Sequence, residues 1–140
     1  MTTGARPDVR VVEVGEQDAL RLLAGVRLGR VVFTHRALPA IRPVNHIVHD
    51  GRVVIRSRTG TALLKQAVLS GVVAYEADEI DPRSHTGWSV ILTGVATVVR
   101  DEALVDRYRT VLRPWIDQRA DTFVSIRPGM VTAYRIVPAP

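Results

Sequence analysis

The 140 residues fit a single domain spanning residues 1–140, and a 46% hydrophobic content rich in valine favours a β-rich core. The sequence has no cysteine, which excludes disulfides, thiolate metal sites and cysteine nucleophiles. No apolar run is long enough to span a bilayer, and the first residues lack the apolar core of a signal peptide. A cytoplasmic protein is expected, with residues 1–8 flexible.

The net charge is +5, and Lys65 is the single lysine among the 19 basic residues. Compositional bias explains much of this arginine content. Arginines and acids are interleaved along most of the chain, which argues against a basic tail for nucleic acid. The stretch from Arg52 to Lys65 differs, because it holds basic residues and no acid. Guanidinium groups match phosphate oxygens in pairs, so this stretch is a candidate anion site.

The first part of the chain predicts a strand, a helix and two further strands. β-Branched residues predict a strand over Val9–Val14, and Glu16–Ala24 predicts a helix with acids in its first turn. Strands are predicted over Gly29–His35 and Ile41–His49. The proline of Ala37-Leu38-Pro39 predicts a turn between them.

Asp50-Gly51 is the strongest hairpin signal, because both residues tolerate the positive φ angles of a type I′ turn. The return strand is predicted over Arg52–Ser57. Thr61 is a plausible N-cap for a helix over Ala62–Leu69, and a strand resumes over Val72–Glu76.

The segment Asp78–Gly87 is rich in acids and turn residues and predicts a surface loop. Trp88–Arg100 predicts a long strand, in which Gly94 marks a bulge or bend. A second amphipathic helix is predicted over Asp101–Leu112. Trp115, after the proline that ends this helix, is expected to anchor it to the rest of the domain.

The last residues predict a hairpin, with strands over Thr122–Ile126 and Met130–Val137 around the turn Arg127–Gly129. The chain then has about seven strands, mostly joined by short turns, and three short helices. Short turns favour antiparallel pairing over a doubly wound parallel sheet. The predicted fold is therefore mainly β (α+β), a six- to seven-stranded antiparallel split barrel.

The residues around the hairpin suggest a phosphate cradle. Gly60 allows close approach of a ligand, and a helix that begins near Thr61 offers unpaired backbone N–H groups. Alternatively, Thr61 only caps the helix and the arginines are solvated, and spacing alone does not separate the two interpretations. Neither a Walker A loop nor a dinucleotide fingerprint is present. The cations and hydroxyls concerned are Arg42, Arg56, Ser57, Arg58, Thr59, Thr61 and Lys65.

The order of these motifs resembles the pyridoxamine 5′-phosphate oxidase-like family, especially its short actinobacterial and nitroimidazole-reductase-like members. The resemblance runs from about Glu16 to Val137. It rests on a strand with Arg-Pro-Val-Asn (42–45), a hairpin, a Gly-Thr helix start with Lys65, an acidic loop, and a Gly-Trp-Ser-Val strand (87–90). It implies an FMN-binding split barrel that dimerises, with the cofactor at the subunit interface.

The resemblance also implies which residues contact the flavin. One departure from the family pattern is that its paired Arg-Lys at the helix start is replaced here by Ala62-Leu63. This leaves room for the deazaflavin F420 as an alternative cofactor. The implied cofactor-binding residues are Arg42, Pro43, Val44, Asn45, His46, Arg56, Ser57, Thr61, Lys65, Trp88 and Ser89.

The function implied is an FMN-dependent oxidoreductase with a small-molecule substrate. Vitamin B6 oxidation is not expected, because the C-terminal substrate-binding extension of the authentic oxidases has no counterpart before Pro140. The alternatives are an F420-dependent reductase or a non-catalytic protein that binds flavin, deazaflavin or haem. A metal site is not expected, since His46 and His49 fall on opposite faces of their strand. No residue stands out as a catalytic acid or base.

Overall fold

The computed structural model describes residues 8–140, apart from the side chain of residue 68. The expectation that residues 1–8 are flexible falls outside the described residues, except at Asp8, whose carbonyl accepts a hydrogen bond from the Ala139 amide at 2.7 Å. The elements are β1 Val9–Glu13, α1 Glu16–Ala24, β2 Leu28–His35, β3 Leu38–His49, β4 Arg52–Ser57, α2 Ala62–Val68, β5 Val72–Ile80, β6 Gly87–Val98, α3 Glu102–Val111 and β7 Thr122–Pro138.

All strand pairings are antiparallel, and the strand order is β1-β7-β4-β3-β2-β5-β6. An additional pairing of β6 with β7 closes the sheet into a barrel, with β1 added along the C-terminal half of β7. Closure removes exposed edges that would otherwise invite pairing with other chains. The predicted antiparallel split barrel of seven strands and three helices is confirmed.

The two hairpins at the start of the barrel both use two-residue turns. Asp50 and Gly51 have φ angles of 53° and 71°, which confirms the predicted turn. The turn predicted over residues 37–39 is misplaced, because Arg36 and Ala37 form it, with φ angles of 53° and 62°. Pro39 instead lies within β3, opposite Thr34.

The predicted loop over residues 78–87 is too long. β5 continues to Ile80 and pairs there with Gly87, so the loop spans only residues 81–86. Asp78 and Glu79 are exposed on this continuing ladder. Consecutive residues of a strand point to opposite faces, so both faces are open to solvent here, and sequence polarity alone does not distinguish such a strand end from a loop.

The predicted C-terminal hairpin is wrong. Residues 122–138 form one strand, β7, which pairs with β6 from Gly87 to Val98. The Pro-Gly pair at 128–129 coincides with a register shift between Thr93 and Gly94, which confirms the predicted irregularity at Gly94. A Cβ atom on Gly94 would lie 1.8 Å from the Arg127 carbonyl oxygen, so the bulge requires glycine there.

The core fills the barrel, and Leu23 of α1 is fully buried in it. A smaller cluster joins Tyr108 and Leu112, around α3, to Val54 and Phe123 on the sheet. Among residues 8–140, no helix has the length and apolar character to cross a membrane. In the same part of the chain, no group of three or more His, Asp or Glu side chains is placed to hold a metal ion.

Candidate functional site

A cavity opens where β3 and β4 separate. The two strands pair with each other only over His46–His49 and Arg52–Ile55. Residues 38–45 of β3 pair with β2 instead, whereas β4 pairs with β7 from Val53 to Ser57. The cavity lies between residues 42–45 and 56–58 and has a volume of about 400 Å³. This volume falls within the range of about 300–1,000 Å³ that is common for small-molecule sites.

The polar lining carries a net positive charge. Three arginines and one carboxylate face the cavity among the described residues, which leaves an excess of two positive charges. Such an excess beside hydroxyl groups suits a phosphate. The polar lining residues are Arg42, Asn45, Arg56, Ser57, Arg58, Thr61 and Asp117.

Arg56 is held by backbone carbonyls and not by an acid. Its Nη1 donates to the Leu112 oxygen and its Nη2 to the Ala120 oxygen, both at 2.9 Å. The guanidinium lies 4.8 Å from the centre of the Phe123 ring, and its buried Nε has no partner within residues 8–140. Burial, together with repulsion from Arg109, lowers the pKa of this guanidinium, which stays charged at neutral pH.

Ser57 and Thr61 form a pair of hydroxyls at the end of β4. Their oxygens are 2.8 Å apart, and Thr61 Oγ1 also accepts the Leu64 amide at 3.2 Å, which confirms Thr61 as the N-cap of α2. Two hydroxyls that share one hydrogen bond keep one O–H free. The pair can therefore donate to a bound anion without losing its internal bond.

Arg42 and Arg58 flank this hydroxyl pair and are only loosely held. Arg42 donates to its neighbour's carbonyl, Ile41 O, at 2.8 Å, and lies 5.8 Å from the Phe33 ring centre. Arg58 Nε is 3.7 Å from the Asp117 carboxylate, and both side chains are more than a third exposed. Each guanidinium keeps N–H donors available for a ligand.

Apolar side chains complete the cavity. One group lies on β2, β3 and α2, and a second group comes from the chain between α3 and β7. A flat aromatic ligand is stabilised by such surfaces. The apolar lining residues are Val31, Phe33, Pro43, Val44, Ala62, Leu63, Pro114, Trp115, Ile116 and Ala120.

Residues 112–121, called the connecting segment below, are attached to the barrel by side-chain hydrogen bonds from two lining residues and, at the C-terminal end, by hydrogen bonds between Asp121 and residues Ser57 and Thr59. Asn45 Nδ2 donates to the Arg113 oxygen at 2.6 Å, and Asn45 Oδ1 accepts the Trp115 amide at 3.1 Å. Arg56 binds Leu112 and Ala120, near the two ends of the segment. Asn45, which is 7% exposed, therefore positions the segment that forms one side of the cavity.

The structure brings together most of the sequence-predicted cofactor residues but not all of them. Lys65 is exposed on α2, and Trp88 and Ser89 are buried in β6, away from the cavity lining. Their contact with a flavin, and that of His46, stays a prediction. The residues that share the cavity are Arg42, Pro43, Val44, Asn45, Arg56, Ser57 and Thr61.

His46 is buried beside the cavity with both ring nitrogens engaged. Its Nε2–H donates to the Leu23 carbonyl at 2.9 Å, so Nδ1 is the acceptor of the Tyr75 hydroxyl proton. Burial lowers the pKa of His46 and raises that of Tyr75. A neutral imidazole with both nitrogens occupied is a structural bridge between β3, α1 and β5.

Sequence reasoning missed the contribution of the connecting segment. Trp115 was expected to anchor a helix, but it is 52% exposed and lines the cavity with Ile116 and Asp117. The available signal was an aromatic residue placed after Pro114, outside any predicted helix or strand. Loops on a rigid scaffold commonly carry binding residues.

Comparison with known proteins identifies the family to which this fold belongs. The family model described as pyridoxamine 5′-phosphate oxidase matches residues 15–139. The uncharacterized protein Rv0080 of Mycobacterium tuberculosis is 56% identical over 132 residues, covering 91% of this chain and 86% of that protein.

Two solved structures share both fold and sequence. The FAD binding protein from Mycobacterium smegmatis is 32% identical, with a TM-score of 0.69, over 90% of this chain and 98% of that chain. A Corynebacterium glutamicum protein whose name refers to the same oxidase is 31% identical, with a TM-score of 0.74, over 97% of this chain and 98% of that one. This chain therefore belongs to the pyridoxamine 5′-phosphate oxidase-like family of split-barrel proteins.

Proposed function

We propose that the chain binds a flavin nucleotide in the 400 Å³ cavity and acts as a flavin-dependent oxidoreductase. The observation that carries the proposal is the combination, in one cavity, of three arginines and two hydroxyls with an apolar wall. A flavin nucleotide has the same two parts, an anionic phosphate and a flat ring. The M. smegmatis relative, named as an FAD binding protein, supports a flavin.

The phosphate is assigned to the polar end of the cavity. Arg42 and Arg58 have free donors there, and the Ser57–Thr61 pair has one free O–H. Arg56 adds positive charge, and it forms no ion pair within the described residues. Charge-assisted hydrogen bonds of this kind are about twice as strong as neutral ones.

The ring is assigned to the apolar walls, between the β2–β3 side and Trp115. When bound, the flavin supplies hydride transfer, and the protein supplies binding, orientation and shielding from water. Phe33 is buried, and Val44 is partly buried, so they offer a firm surface. FMN is the first expectation, with F420 as the alternative, because both carry a phosphate beside a flavin-type ring.

A second candidate function is flavin binding without turnover. Asp117 is the single carboxylate among the described lining residues, and it lies near both Arg58 and Arg119. His46 has both nitrogens engaged in the core. An oxidoreductase with this lining relies on its cofactor and on solvent for proton transfer.

We also propose that a second copy of the chain covers the cavity mouth, as a homodimer. Leu38 and Ile41 precede Arg42 on β3 and are 67% and 54% exposed. Trp115 and Ile116 are exposed on the opposite side of the cavity. Apolar side chains around a ligand site favour burial against a partner.

The first experiment is an absorbance spectrum of the purified protein, followed by titration with FMN, FAD, F420 and haem. We expect saturable binding of at least one flavin. Turnover with a reduced nicotinamide and a panel of electron acceptors then separates the enzyme from the binding protein. A protein that binds none of these flavins refutes both candidate functions.

The phosphate assignment is tested by Arg42→Ala, with Arg52→Ala as the matched control on an exposed strand position outside the cavity. We expect Arg42→Ala to weaken flavin binding about tenfold or more, through loss of a charge-assisted hydrogen bond, with the fold intact. Lys65→Ala is expected to weaken binding if α2 also reaches the phosphate. Unchanged affinity in both Arg42→Ala and Lys65→Ala contradicts the phosphate cradle.

A further inference from the structure

A second cavity, of about 540 Å³, adjoins the proposed flavin cavity. Asn45 and Trp115 line both cavities, so these two side chains separate them. The second cavity has an apolar surface that includes Ile47 and Val48 of β3. A ligand bound in the second cavity therefore lies next to the proposed flavin site and outside it.

Two arginines, Arg27 and Arg113, border this second cavity, and each is attached to β3 through its backbone carbonyl. The His46 amide donates to the Arg27 carbonyl at 2.9 Å, and the Asn45 side chain donates to the Arg113 carbonyl at 2.6 Å. Consecutive residues of one strand thus fix the backbone of both arginines. Both side chains are exposed and line the same cavity.

Among the described residues, these two arginines are the only charged side chains of Lys, Arg, Asp or Glu type that line the second cavity. No Asp or Glu belongs to the lining of the second cavity within the described chain. Arg27 also borders a shallow depression with Asp78 and Glu79, but neither arginine forms an ion pair within residues 8–140. Two guanidinium groups at one cavity create a positive potential that attracts anions.

The neighbouring polar side chains are already engaged. The Asn45 amide uses its oxygen and its nitrogen on the connecting segment, and His46 uses both ring nitrogens in the core. The free donors are therefore those of the two guanidinium groups, together with the second N–H of the Asn45 amide. The planar geometry of the guanidinium groups fits a carboxylate or a phosphate, and the apolar surface fits the rest of an organic molecule.

We propose that the second cavity binds the carboxylate or phosphate group of a ligand through Arg27 and Arg113. The placement of this ligand beside a flavin rests on the proposed function, whereas the anion site itself does not. Two sources share this chemistry. One is a separate small organic anion, such as a substrate, and the other is the second phosphate of a flavin dinucleotide that extends past Trp115.

The test uses Arg27→Gln, Arg113→Gln and the double variant, with Arg52→Gln as the matched control. Glutamine keeps the backbone anchors and a polar side chain while it removes the charge and the guanidinium donors, and circular dichroism checks the fold. Binding of inorganic pyrophosphate is measured by calorimetry at low salt, on the flavin-free protein and on the protein saturated with FMN. FMN and FAD affinities are measured in parallel by flavin fluorescence.

We expect each single variant to weaken pyrophosphate binding to the FMN-loaded protein about tenfold or more, with no change for Arg52→Gln. If the FAD affinity of the variants falls together with their pyrophosphate affinity while their FMN affinity is unchanged, the anion bound in the second cavity is a phosphate of the flavin dinucleotide. If the FMN and FAD affinities are both unchanged, the anion bound in the second cavity belongs to a separate ligand. If the double variant binds pyrophosphate as the control does, or wild type binds none, the proposal is wrong.

Failure of the proposed function looks different from failure of this proposal. A wild-type protein that binds no flavin refutes the proposed function. The pyrophosphate titration of the flavin-free protein still decides the role of the two arginines, because it requires neither flavin nor activity.

Discussion

The two sides of the proposed flavin cavity are built in different ways. The strand side consists of residues 42–45 and 56–58, which belong to strands hydrogen-bonded in register to β2 and β7, apart from Arg58 directly after the end of β4. The connecting segment, residues 112–121, lies between α3 and β7 and is attached by side-chain hydrogen bonds from Asn45 and Arg56. One side is fixed by backbone ladders, and the other is held mainly by side-chain hydrogen bonds, with one backbone hydrogen bond from the Asp121 amide to the Ser57 carbonyl at its C-terminal end.

This difference matters for any mutational study of binding. Asn45 and Arg56 line the cavity and also hold the connecting segment, so their substitution changes stability and binding together. Arg42 and Arg58 line the cavity and contribute little to holding it together. Variants of Arg42 and Arg58 therefore report on ligand binding, whereas variants of Asn45 and Arg56 report on the stability of the cavity.

The largest effect is expected for Arg56→Ala. The substitution removes two hydrogen bonds to the carbonyls of Leu112 and Ala120, which are both buried, and the contact with Phe123. We expect the free energy of unfolding to fall by about 2–4 kcal/mol, because buried carbonyls lose a charged donor. Urea denaturation measures the loss, and flavin affinity should fall with it.

Arg58→Ala is the matched comparison on the same strand side. Its ion pair with Asp117 is long, at 3.7 Å, and both side chains are substantially exposed. Such pairs contribute about 0–1 kcal/mol, so stability should barely change while flavin affinity falls. If Arg58→Ala lowers the free energy of unfolding as much as Arg56→Ala does, Arg58 also holds the cavity together and the distinction between these two arginines is wrong.

Asn45→Ala is expected to have the next largest effect. It leaves the Arg113 carbonyl and the Trp115 amide without their partner, at a cost of about 1–3 kcal/mol. The fluorescence of Trp115 should shift, because the segment that carries it loses two attachments. Trp88 is buried in the core, so the Trp115→Phe background gives the control spectrum.

Unchanged Trp115 emission in Asn45→Ala would show that the other contacts of the connecting segment, including those of Arg56, position it without Asn45. Asn45→Asp refines the test, since it keeps the acceptor for the Trp115 amide and removes the donor to Arg113. A smaller loss of stability in Asn45→Asp than in Asn45→Ala would assign part of the effect to the Trp115 bond.

The strand side of the cavity was readable from the sequence. The Asp50-Gly51 turn and the β-branched strands around it fixed the register of β3 against β4 through local rules. Ser57 and Thr61 were placed by the end of that strand and the N-cap that follows. Local signals suffice where neighbouring residues in sequence are neighbours in the site.

The connecting segment was not readable in the same way. Its attachments join Asn45 and Arg56 to residues more than fifty positions later, and no local pattern encodes such contacts. The misassigned hairpin at 127–129 has a similar origin, because only the pairing of β7 with β6 shows that Pro128-Gly129 is a bulge. Turn residues signal a bend and do not say whether the strand resumes in the same direction.

The smallest expected effect concerns the pH dependence of stability at His46, which follows the strand side on β3. The hydrogen bonds of His46 go to α1 and β5 and not to the connecting segment. Burial lowers the pKa of His46 below its ordinary value of 6.5 in the folded protein. Below pH 6.5 the unfolded chain therefore takes up a proton that the folded chain resists.

The free energy of unfolding should thus be fully maintained above about pH 6.5 and fall as the pH drops towards the folded-state pKa of His46. Urea denaturation of wild type and His46→Gln between pH 7.5 and pH 5 measures this term. The other three histidines are present in both proteins and cancel in the comparison. The variant should be less stable at pH 7.5 but lose less stability on acidification. If the free energy of unfolding depends on pH equally in wild type and His46→Gln, the His46 imidazole is protonated as readily in the folded protein as in the unfolded chain.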